Sequence, residues 1–440
     1  MKRFLAPLIV FAALTPFSAL AQTTALVGGT VVDLDGKPPV SNAVVLIEGE
    51  RIVAVGPAES TPVPAGASVI PMTGKWLIPG LMNMHVHLGL NLPGAGRIYN
   101  ETREAKGLRM LANAQKSLQA GVTTIRLTGE DGGIDFAVKA AIDNGTFAGP
   151  RIHTAGESVT PTGGHGKYEA DGPAEVAHAV RQQIKLGATW IKLAISGGIS
   201  DERGAIGASP FTDEEMKTAI EIAHRNGVKV TGHTGSPAAS EYALQQGIDG
   251  FEHGYFFTPK ILKEMKARGT WYVPTIVVSQ KGALEFYKKI GSPPWYLERQ
   301  ASVGKVHWET LRSAIRAGVN IALGSDQYPF EPNDGDGDGA RGRALCRGRD
   351  DVAAGVARGD DRAGADARNR RASRRDQTGP LGRYRRADRG SDCRYPRFAH
   401  DQLRHEGRQD RAKRYAALTA LRCAKSNDHD FVVPLQQRCN

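Results

Sequence analysis

The pattern of hydrophobic and polar positions changes twice along the chain, and its central part alternates between two periods. Short apolar runs of the kind found in buried strands occur at 81–86, 123–127, 151–154, 190–193, 228–232, 250–253, 271–274 and 319–324. Stretches with helical periodicity lie between them, such as 174–186 and 212–226. Eight strand–helix units predict an α/β fold that closes as a (β/α)8 TIM-type barrel over residues 80–333.

Residues 23–79 follow a different rhythm. Short β-type runs at 25–27, 30–33, 43–47, 51–55 and 68–70 are separated by turn residues. Asp35-Gly36 and the 64–66 segment Pro-Ala-Gly are examples of these turns. The pattern predicts a small N-terminal β-sandwich domain.

The first 22 residues have the layout of an export signal. Lys2 and Arg3 precede an apolar run, and Ala19-Leu-Ala21 is a small-x-small cleavage site. Pro7 and Pro16 interrupt the run, and no second apolar span follows it. We therefore expect residues 1–22 to be a bacterial signal peptide and the protein to be periplasmic or secreted, without stable membrane insertion.

The last part of the chain differs in composition from the rest. Residues 331–440 hold 25 Lys and Arg against 17 Asp and Glu, a net charge of +8, whereas the other 330 residues carry 32 against 29, a net charge of +3. All four cysteines lie in this last segment, which has no Ile, Met or Trp, and 23 of its 25 basic residues are Arg. It shows no hydrophobic period and too few large apolar residues for a core.

Three interpretations of residues 334–440 are open: a natural basic tail, an unusual folded domain, or a shifted reading frame. Dominance of Arg, Ala, Gly and Asp favours a frameshift in a gene rich in G and C, so we expect a disordered or out-of-frame segment. Its arginines lack interleaved aromatic residues and a recognisable nucleic-acid-binding motif, so no nucleic-acid partner is expected.

Side chains suited to metal ligation fall at the predicted C-terminal ends of the barrel strands, where such barrels place their active sites. They are His85, His87, Lys192, His233, His253 and Asp326. His85 and His87 share one strand face, because residues i and i+2 of a strand point the same way. Imidazole and carboxylate ligands suit zinc and similar divalent ions.

These residues lie in motifs that resemble the amidohydrolase superfamily. The segment 77–87, Leu-Ile-Pro-Gly-Leu-Met-Asn-Met-His-Val-His, resembles its first-strand signature, and 191–198, Ile-Lys-Leu-Ala-Ile-Ser-Gly-Gly, resembles its carboxylated-lysine strand. Gly-His-Thr at 232–234, Phe-Glu-His-Gly at 251–254 and Leu-Gly-Ser-Asp at 323–326 follow in order. The resemblance covers residues 23–333 and is strongest to the imidazolonepropionase-like branch that includes Xaa-Pro dipeptidases.

The resemblance implies a site for two divalent metal ions, with zinc as the default. His85, His87 and Asp326 would hold the first ion, and His233 and His253 the second. Lys192, carbamylated by carbon dioxide, would bridge both. A metal-bridged hydroxide would be the nucleophile, and Asp326 would orient it and transfer its proton to the leaving amine.

The implied activity is hydrolysis of a C–N amide bond in a dipeptide or an N-acyl amino acid. His165 and Tyr255 are candidate substrate contacts. Two alternatives stay open: a cyclic amide or lactone hydrolase of the same superfamily, and a catalytically dead product of a frame-shifted gene. The expected partner is a small molecule or dipeptide, and a homo-oligomer is compatible with the sequence.

The chain also departs from the superfamily pattern at three places. Asn83 stands where an Asp commonly precedes the His-x-His motif, and Leu127 follows Arg126 where an Asp is usual. Both changes are expected to alter contacts around the ligands more than ligation itself. After Asn333, no last barrel helix or strand returning to the N-terminal sandwich is recognisable.

Overall fold

The computed structural model describes residues 23–32, 37–90, 101–280 and 282–326, together with the backbone of 432–435. The described chain divides into two compact units at the junction of residues 79 and 80, and the strand at 432–435 belongs to the first. The predicted signal peptide and, apart from that strand, the segment 334–440 lie outside the described residues. Within the described part, no helix is long and apolar enough to cross a bilayer.

The described strands of the first unit form one six-stranded sheet. They are β1 (Thr23–Val31), β2 (Val40–Glu48), β3 (Arg51–Pro57), β4 (Ser68–Pro71), β5 (Trp76–Pro79) and β16 (Val432–Leu435). Strand β2 lies antiparallel between β1 and β3, while β4 and β5 pair parallel with β1, and β16 pairs parallel with β5. The strands predicted at 25–27 and 30–33 are one strand, because β1 continues through an irregularity between Val27 and Gly29.

Ten of the described strands belong to the second unit, and eight of them coincide with the predicted apolar runs. They are β6 (Leu81–Val86), β7 (Val122–Leu127), β8 (Arg151–Thr154), β9 (Val159–Thr160), β10 (Tyr168–Glu169), β11 (Trp190–Ala194), β12 (Lys229–Thr234), β13 (Gly250–His253), β14 (Trp271–Val273) and β15 (Asn320–Ile321). The sequence did not predict β9 and β10, which are two residues long. It also overestimated the last strand, because β15 ends at Ile321.

Helices connect these strands. They are α1 (Arg103–Gln119), α2 (Ile134–Asp143), α3 (Gly172–Leu186), α4 (Asp213–Arg225), α5 (Pro237–Gln245), α6 (Pro259–Arg268), α7 (Ala283–Lys289) and α8 (Pro294–Ala317), with a 3-10 turn at Ile276–Ser279. Helix α4 begins with a capping box, in which Thr212 and Glu215 satisfy each other's backbone N–H groups. Helix α8 ends at Gly318, whose φ of 68° closes the last turn in the left-handed region.

The strands of the second unit pair in parallel in two sheets, with orders β6-β7-β8 and β10-β9-β11-β12-β13-β14-β15. Hydrogen bonds link the two sheets at both edges. Thr189 N donates to Thr154 O at 2.9 Å beside β8 and β11, and Met84 N of β6 donates to Leu323 O at 2.8 Å beyond β15. Because the strands are parallel, their C-terminal ends lie along one side, which brings together the residues that follow them.

Apolar side chains pack between strands and helices. The larger core cluster joins β11 to β14 with α3 to α6 and α8, and a smaller one joins β6 to β8 with α1 and α2. Polar and charged side chains are nevertheless buried at the C-terminal strand ends, including Asn83, Lys192 and Glu252. Buried charge of this kind needs partners, and these partners define the site.

Candidate active site

All six side chains predicted as metal ligands line one cavity of about 690 Å³ at the C-terminal ends of the strands. The two candidate substrate contacts, His165 and Tyr255, line the same cavity. Five of the six candidate ligands are buried, and Asp326 is 13% exposed. The structure therefore brings together every site residue that the sequence predicted, although these residues span 242 positions of the chain, from 85 to 326.

His85, His87 and Asp326 form the tighter part of the cluster, and each offers one ligand atom within 4.8 Å of the others. The Nε2 atoms of the two histidines are 3.3 Å apart. Oδ1 of Asp326 lies 3.3 Å from Nε2 of His85 and 3.4 Å from Nε2 of His87. We call these three residues the first ligand group.

The other nitrogen of each histidine fixes its tautomer. Nδ1 of His85 lies 2.7 Å from Oε2 of Glu252, and Nδ1 of His87 lies 2.6 Å from the carbonyl oxygen of Gly129. An ionised carboxylate and a carbonyl only accept hydrogen bonds, so both Nδ1 atoms carry the proton. The Nε2 atoms then present lone pairs to one another and to the Asp326 carboxylate. Three electron-rich atoms converge in this way, and a divalent cation is the group that satisfies them together.

Lys192, His233 and His253 form the second ligand group. Nε2 of His233 donates to the carbonyl oxygen of Gly197 at 3.1 Å, which leaves Nδ1 as the ring acceptor. Within the described part of the chain, this buried Nδ1 has no hydrogen-bond partner. Nδ1 of His253 lies 2.7 Å from Oγ1 of Thr275. The His233 and His253 ring centroids are 4.6 Å apart, and those of His253 and His85 are 4.8 Å apart, so the two groups adjoin.

Burial sets the charge states of the second group. It lowers the pKa of Lys192 to about 8, although Glu252 and Asp326 act in the opposite direction. The pKa values of His233 and His253 lie well below their usual range, first because of burial and then through neighbouring imidazoles. Burial alone would raise the pKa of Asp326, but its proximity to His85, His87 and His253 holds it well below its usual range. The site therefore contains neutral imidazoles, a carboxylate and an amine that loses its proton readily.

Backbone strain concentrates at the same place. Among the described residues other than glycine, positive φ angles occur at Asn42, His253, Thr275 and Asp326. Three of these four belong to the ligand groups or contact them, with φ angles of 65°, 49° and 48°. Left-handed conformations of non-glycine residues cost about 1–3 kcal/mol each and persist where the surroundings impose them. Here they accompany the orientation of His253, at the end of β13, and of Asp326, after β15, toward the cavity.

A buried charged network supports His85, and the sequence analysis missed it. Glu252 is fully buried, and its Oε1 accepts hydrogen bonds from Arg126 and, at 2.5 Å, from Thr231. Arg126 also donates from Nε to Met84 O at 2.7 Å, and its guanidinium lies 4.4 Å from the Trp190 ring centroid. Burial would raise the pKa of Glu252, but Arg126 and His85 lower it to about 2. Glu252 is therefore the ionised partner that orients His85.

Two further sets of hydrogen bonds hold β6 and the residues that follow it. Asn83 Nδ2 donates to Oγ of Ser325 at 2.7 Å, and its Oδ1 accepts from Ser325 N at 3.1 Å, which ties the first strand to the segment that carries Asp326. Glu130 accepts from the backbone N–H groups of Leu88 at 2.5 Å and Gly89 at 2.9 Å. Burial raises the pKa of Glu130 to about 7. The departures at Asn83 and Leu127 leave the first ligand group intact.

His165 and Tyr255 sit beside the second ligand group. The His165 ring centroid is 4.1 Å from that of His233, and its Nδ1 pairs with Oδ1 of Asp201 at 2.7 Å. The Tyr255 ring stacks on His253 at 5.6 Å with an interplanar angle of 15°. His307 on α8 is fully buried and contacts the Tyr255 ring edge-on, with ring centroids 4.9 Å apart.

Comparison with known proteins agrees with this geometry. The model of the amidohydrolase family matches residues 76–366. Ochratoxinase from Aspergillus niger is 28% identical over 352 residues, which cover 71% of this chain and 70% of that protein. Imidazolonepropionase from Caulobacter vibrioides is 27% identical over 328 residues, which cover 66% of this chain and 73% of that protein. A crystal structure of a Xaa-Pro dipeptidase with methionine in its active site superposes with a TM-score of 0.66 at 27% identity, covering 76% of this chain and 89% of that one.

The family match runs past Asn333 and ends inside the segment whose reading frame is in question. Together, the parallel strands, the converging ligand atoms and the match over residues 76–366 establish that the chain belongs to the amidohydrolase family.

Proposed function

We propose that the protein is a binuclear metal-dependent hydrolase that cleaves a C–N amide bond in a dipeptide or an N-acyl amino acid. The observation that carries the proposal is the convergence of the Nε2 lone pairs of His85 and His87 on the Asp326 carboxylate. The likeness to a Xaa-Pro dipeptidase and to ochratoxinase supports amide hydrolysis.

The scaffold of this site is inferred to be a closed eight-stranded barrel. Strands β6 to β8 and β11 to β15 follow one another in parallel. The hydrogen bonds of Thr189 and Met84 join the two sheets at both edges. A barrel of eight parallel strands has just enough room inside for the side chains that fill it.

Two divalent ions, with zinc as the default, fit the donor atoms. The first ligand group would hold one ion, and the unpartnered Nδ1 of His233 together with His253 would hold the other. Lys192 would bridge them once carbamylated, since an ammonium cannot ligate a cation, and its lowered pKa favours the neutral amine that reacts with carbon dioxide. When bound, the ions would lower the pKa of water and polarise the scissile carbonyl.

Asp326 is the proposed proton carrier. Its carboxylate lies beside Nε2 of both first-group histidines, so it would be placed to accept the proton of the attacking water and pass it to the leaving amine. Its φ of 48° and the hydrogen bonds between Asn83 and Ser325 fix where this carboxylate stands. His165 and Tyr255 would contact the substrate, because both line the cavity next to His233 and His253.

The proposal extends to the setting of the enzyme. The N-terminal signal pattern supports a periplasmic or secreted location, where the substrate would be a small molecule or dipeptide. We propose no nucleic-acid partner, and a homo-oligomer is compatible with the sequence.

The test uses the purified full-length chain. Metal content is measured by plasma mass spectrometry, and the protein is then stripped with a chelator and reloaded with zinc and bicarbonate. We expect about two metal ions per chain and hydrolysis of Xaa-Pro dipeptides or N-acyl amino acids that is lost on stripping and regained on reloading. Turnover of lactones or cyclic amides alone would favour the alternative substrate class. A folded chain that neither binds zinc nor hydrolyses any amide would be the dead product of a shifted reading frame.

A further inference from the structure

The described residues that line the cavity fall into two chemically different sets. The segments between β6 and α4, including helix α1, contribute mostly charged side chains: Glu101, Lys106, Arg109, Asp131, His165, Lys167 and Asp201. The segment from the end of β13 to α8 contributes Tyr255, Val278, Tyr287, Tyr296 and Gln300, and Ile199 joins them from the loop after β11. We call this second set the aromatic wall.

The aromatic wall is a packed structure with a fixed shape. Its residues are less than 9% exposed, and most of them belong to one hydrophobic cluster that also includes Val303. The Tyr287 and Tyr296 rings meet edge-to-face with centroids 5.2 Å apart. Gln300 Nε2 donates to Val278 O at 2.6 Å, which anchors the 3-10 turn against α8. A wall held in this way presents apolar surface without reorganisation on binding.

Most charged residues of the first set form ion pairs with one another. Lys106 pairs with Asp131, and Arg109 pairs with Glu101 at 2.6 Å between Nη2 and Oε2. Such a surface offers hydrogen bonds to a polar group and little area for an apolar one. The charged set therefore favours a polar group of the substrate, and the aromatic wall favours an apolar one.

The aromatic wall begins next to the reacting centre. The Tyr255 ring stacks on His253, and Thr310 Oγ1 donates to the Tyr255 carbonyl oxygen at 2.8 Å, which ties that residue to α8. A scissile amide placed at the ligand groups would consequently have one of its two substituents against this wall. A bulky apolar substituent would gain contact with the apolar side chains of the wall.

We propose that the substrate carries a bulky apolar or aromatic group on one side of the scissile amide and a polar group on the other. The apolar group is held by Ile199, Val278, Tyr287 and Tyr296. This inference rests on the proposed amide hydrolysis and names the substrate class of the same site.

The test compares three matched amides with the zinc-loaded full chain: N-acetyl-L-alanine, N-acetyl-L-phenylalanine and N-benzoyl-L-alanine. Because one apolar contact changes kcat/KM by about tenfold or more, we expect at least one aromatic amide to exceed N-acetyl-L-alanine by at least about tenfold. Equal kcat/KM values for the three amides would overturn the inference.

Larger side chains in the aromatic wall should remove the preference for aromatic amides. Val278→Phe is expected to lower the ratio of aromatic to N-acetyl-L-alanine kcat/KM toward one, and Ile199→Phe should do the same. Val53→Phe, at a position 50% exposed on β3, is the matched control and should keep the wild-type ratio. Circular dichroism checks that each variant is folded. A wild-type ratio in both filled and folded variants would contradict the inference.

Binding separates this inference from the proposed function. If the zinc-loaded chain hydrolyses none of the three amides, amide hydrolysis fails, and calorimetry with the same compounds decides the substrate class alone. A Kd at least about tenfold lower for either aromatic amide than for N-acetyl-L-alanine supports the aromatic wall as a recognition surface, and equal Kd values reject it.

Discussion

The two ligand groups differ in how their side chains are held. In the first group, His85 and His87 are fixed from behind by groups that can only accept hydrogen bonds, the Glu252 carboxylate and the Gly129 carbonyl. In the second group, His253 faces the Thr275 hydroxyl, which can donate or accept, and one nitrogen of His233 has no described partner. The first group has its lone pairs oriented before any cation binds, whereas under our proposal the second group is completed only when Lys192 is carbamylated.

Because of this difference, we expect the two proposed metal positions to differ in their affinity for zinc. A preorganised set of ligands binds more tightly because it loses less freedom and needs no proton rearrangement on binding. We expect the first group to bind zinc tightly by itself and the second to bind weakly until Lys192 is carbamylated. Substitutions in the two groups should therefore have separable effects.

The largest effect is expected from Asp326→Asn, because this residue is proposed both as a metal ligand and as the proton carrier. Loss of proton transfer alone typically costs about 10²–10⁴-fold, so kcat/KM should fall at least that far. The matched control is Asp143→Asn at a position 46% exposed on α2, which should retain wild-type activity. A kcat/KM within tenfold of wild type would remove Asp326 from the mechanism.

Lys192→Gln should act on the second group. An amide side chain cannot be carbamylated, so we expect metal content to drop from about two ions toward one and kcat/KM to fall at least about 100-fold. Added formate or acetate, which can stand in for the carbamate oxygens, should restore part of the activity. Lys185→Gln on the exposed face of α3 is the control. A variant that keeps two tightly bound ions without added carboxylate would show that Lys192 is an ordinary buried lysine.

Glu252→Gln should lower the zinc affinity of the first ligand group without replacing any of its ligands. Its amide can donate to His85 as well as accept from it, so the tautomer is no longer fixed, and partners of this kind typically contribute about 10–100-fold in metal affinity. Chelator competition measures the affinity. Arg126 also loses its ionic partner, so urea unfolding of the metal-free protein should show lower stability. Glu309→Gln, 55% exposed, should change neither quantity. Unchanged zinc affinity in a folded Glu252→Gln protein would refute the orienting role.

The smallest effect is expected from Thr275→Val, which removes the hydroxyl beside His253. Because that hydroxyl does not dictate one tautomer, zinc affinity of the second group should fall by less than about tenfold. Thr146→Val, on an exposed turn, is the control. A loss larger than that of Glu252→Gln would reverse the comparison between the two groups.

Much of the site was accessible from the sequence because its ligands follow a local rule. Parallel strands align their C-terminal ends, so His87, His233 and Asp326 could be placed together from the strand pattern alone. Glu252 was missed for a local reason as well. Adjacent residues of a strand point to opposite faces, so Glu252 and His253 were not expected to share the interior. The φ of 65° at His253 breaks that alternation. A glutamate inside an otherwise apolar strand was the one feature of the sequence that could have indicated a buried, paired carboxylate.

Long-range contacts set the limit of prediction for the rest. The partners of Glu252 are 126 and 167 positions away, at Arg126 and His85, and no local period indicates such pairs. Two residues of the aromatic wall, Val278 and Tyr287, come from a 3-10 turn and helix α7, which the strand–helix alternation did not predict. In the fold, the eight predicted strands of the second unit were placed within a few residues, whereas β9, β10 and the length of β15 were not predicted. The reading-frame hypothesis stays a prediction, because it falls on residues outside the described part of the chain.

Zinc titration of the metal-free full chain by calorimetry tests the comparison most directly, carried out on the wild type and on His87→Ala and His233→Ala. We expect two binding steps in the wild type, loss of the tighter step in His87→Ala, and its retention in His233→Ala. If His233→Ala loses the tighter step while His87→Ala keeps it, the preorganised first group is not the primary metal site.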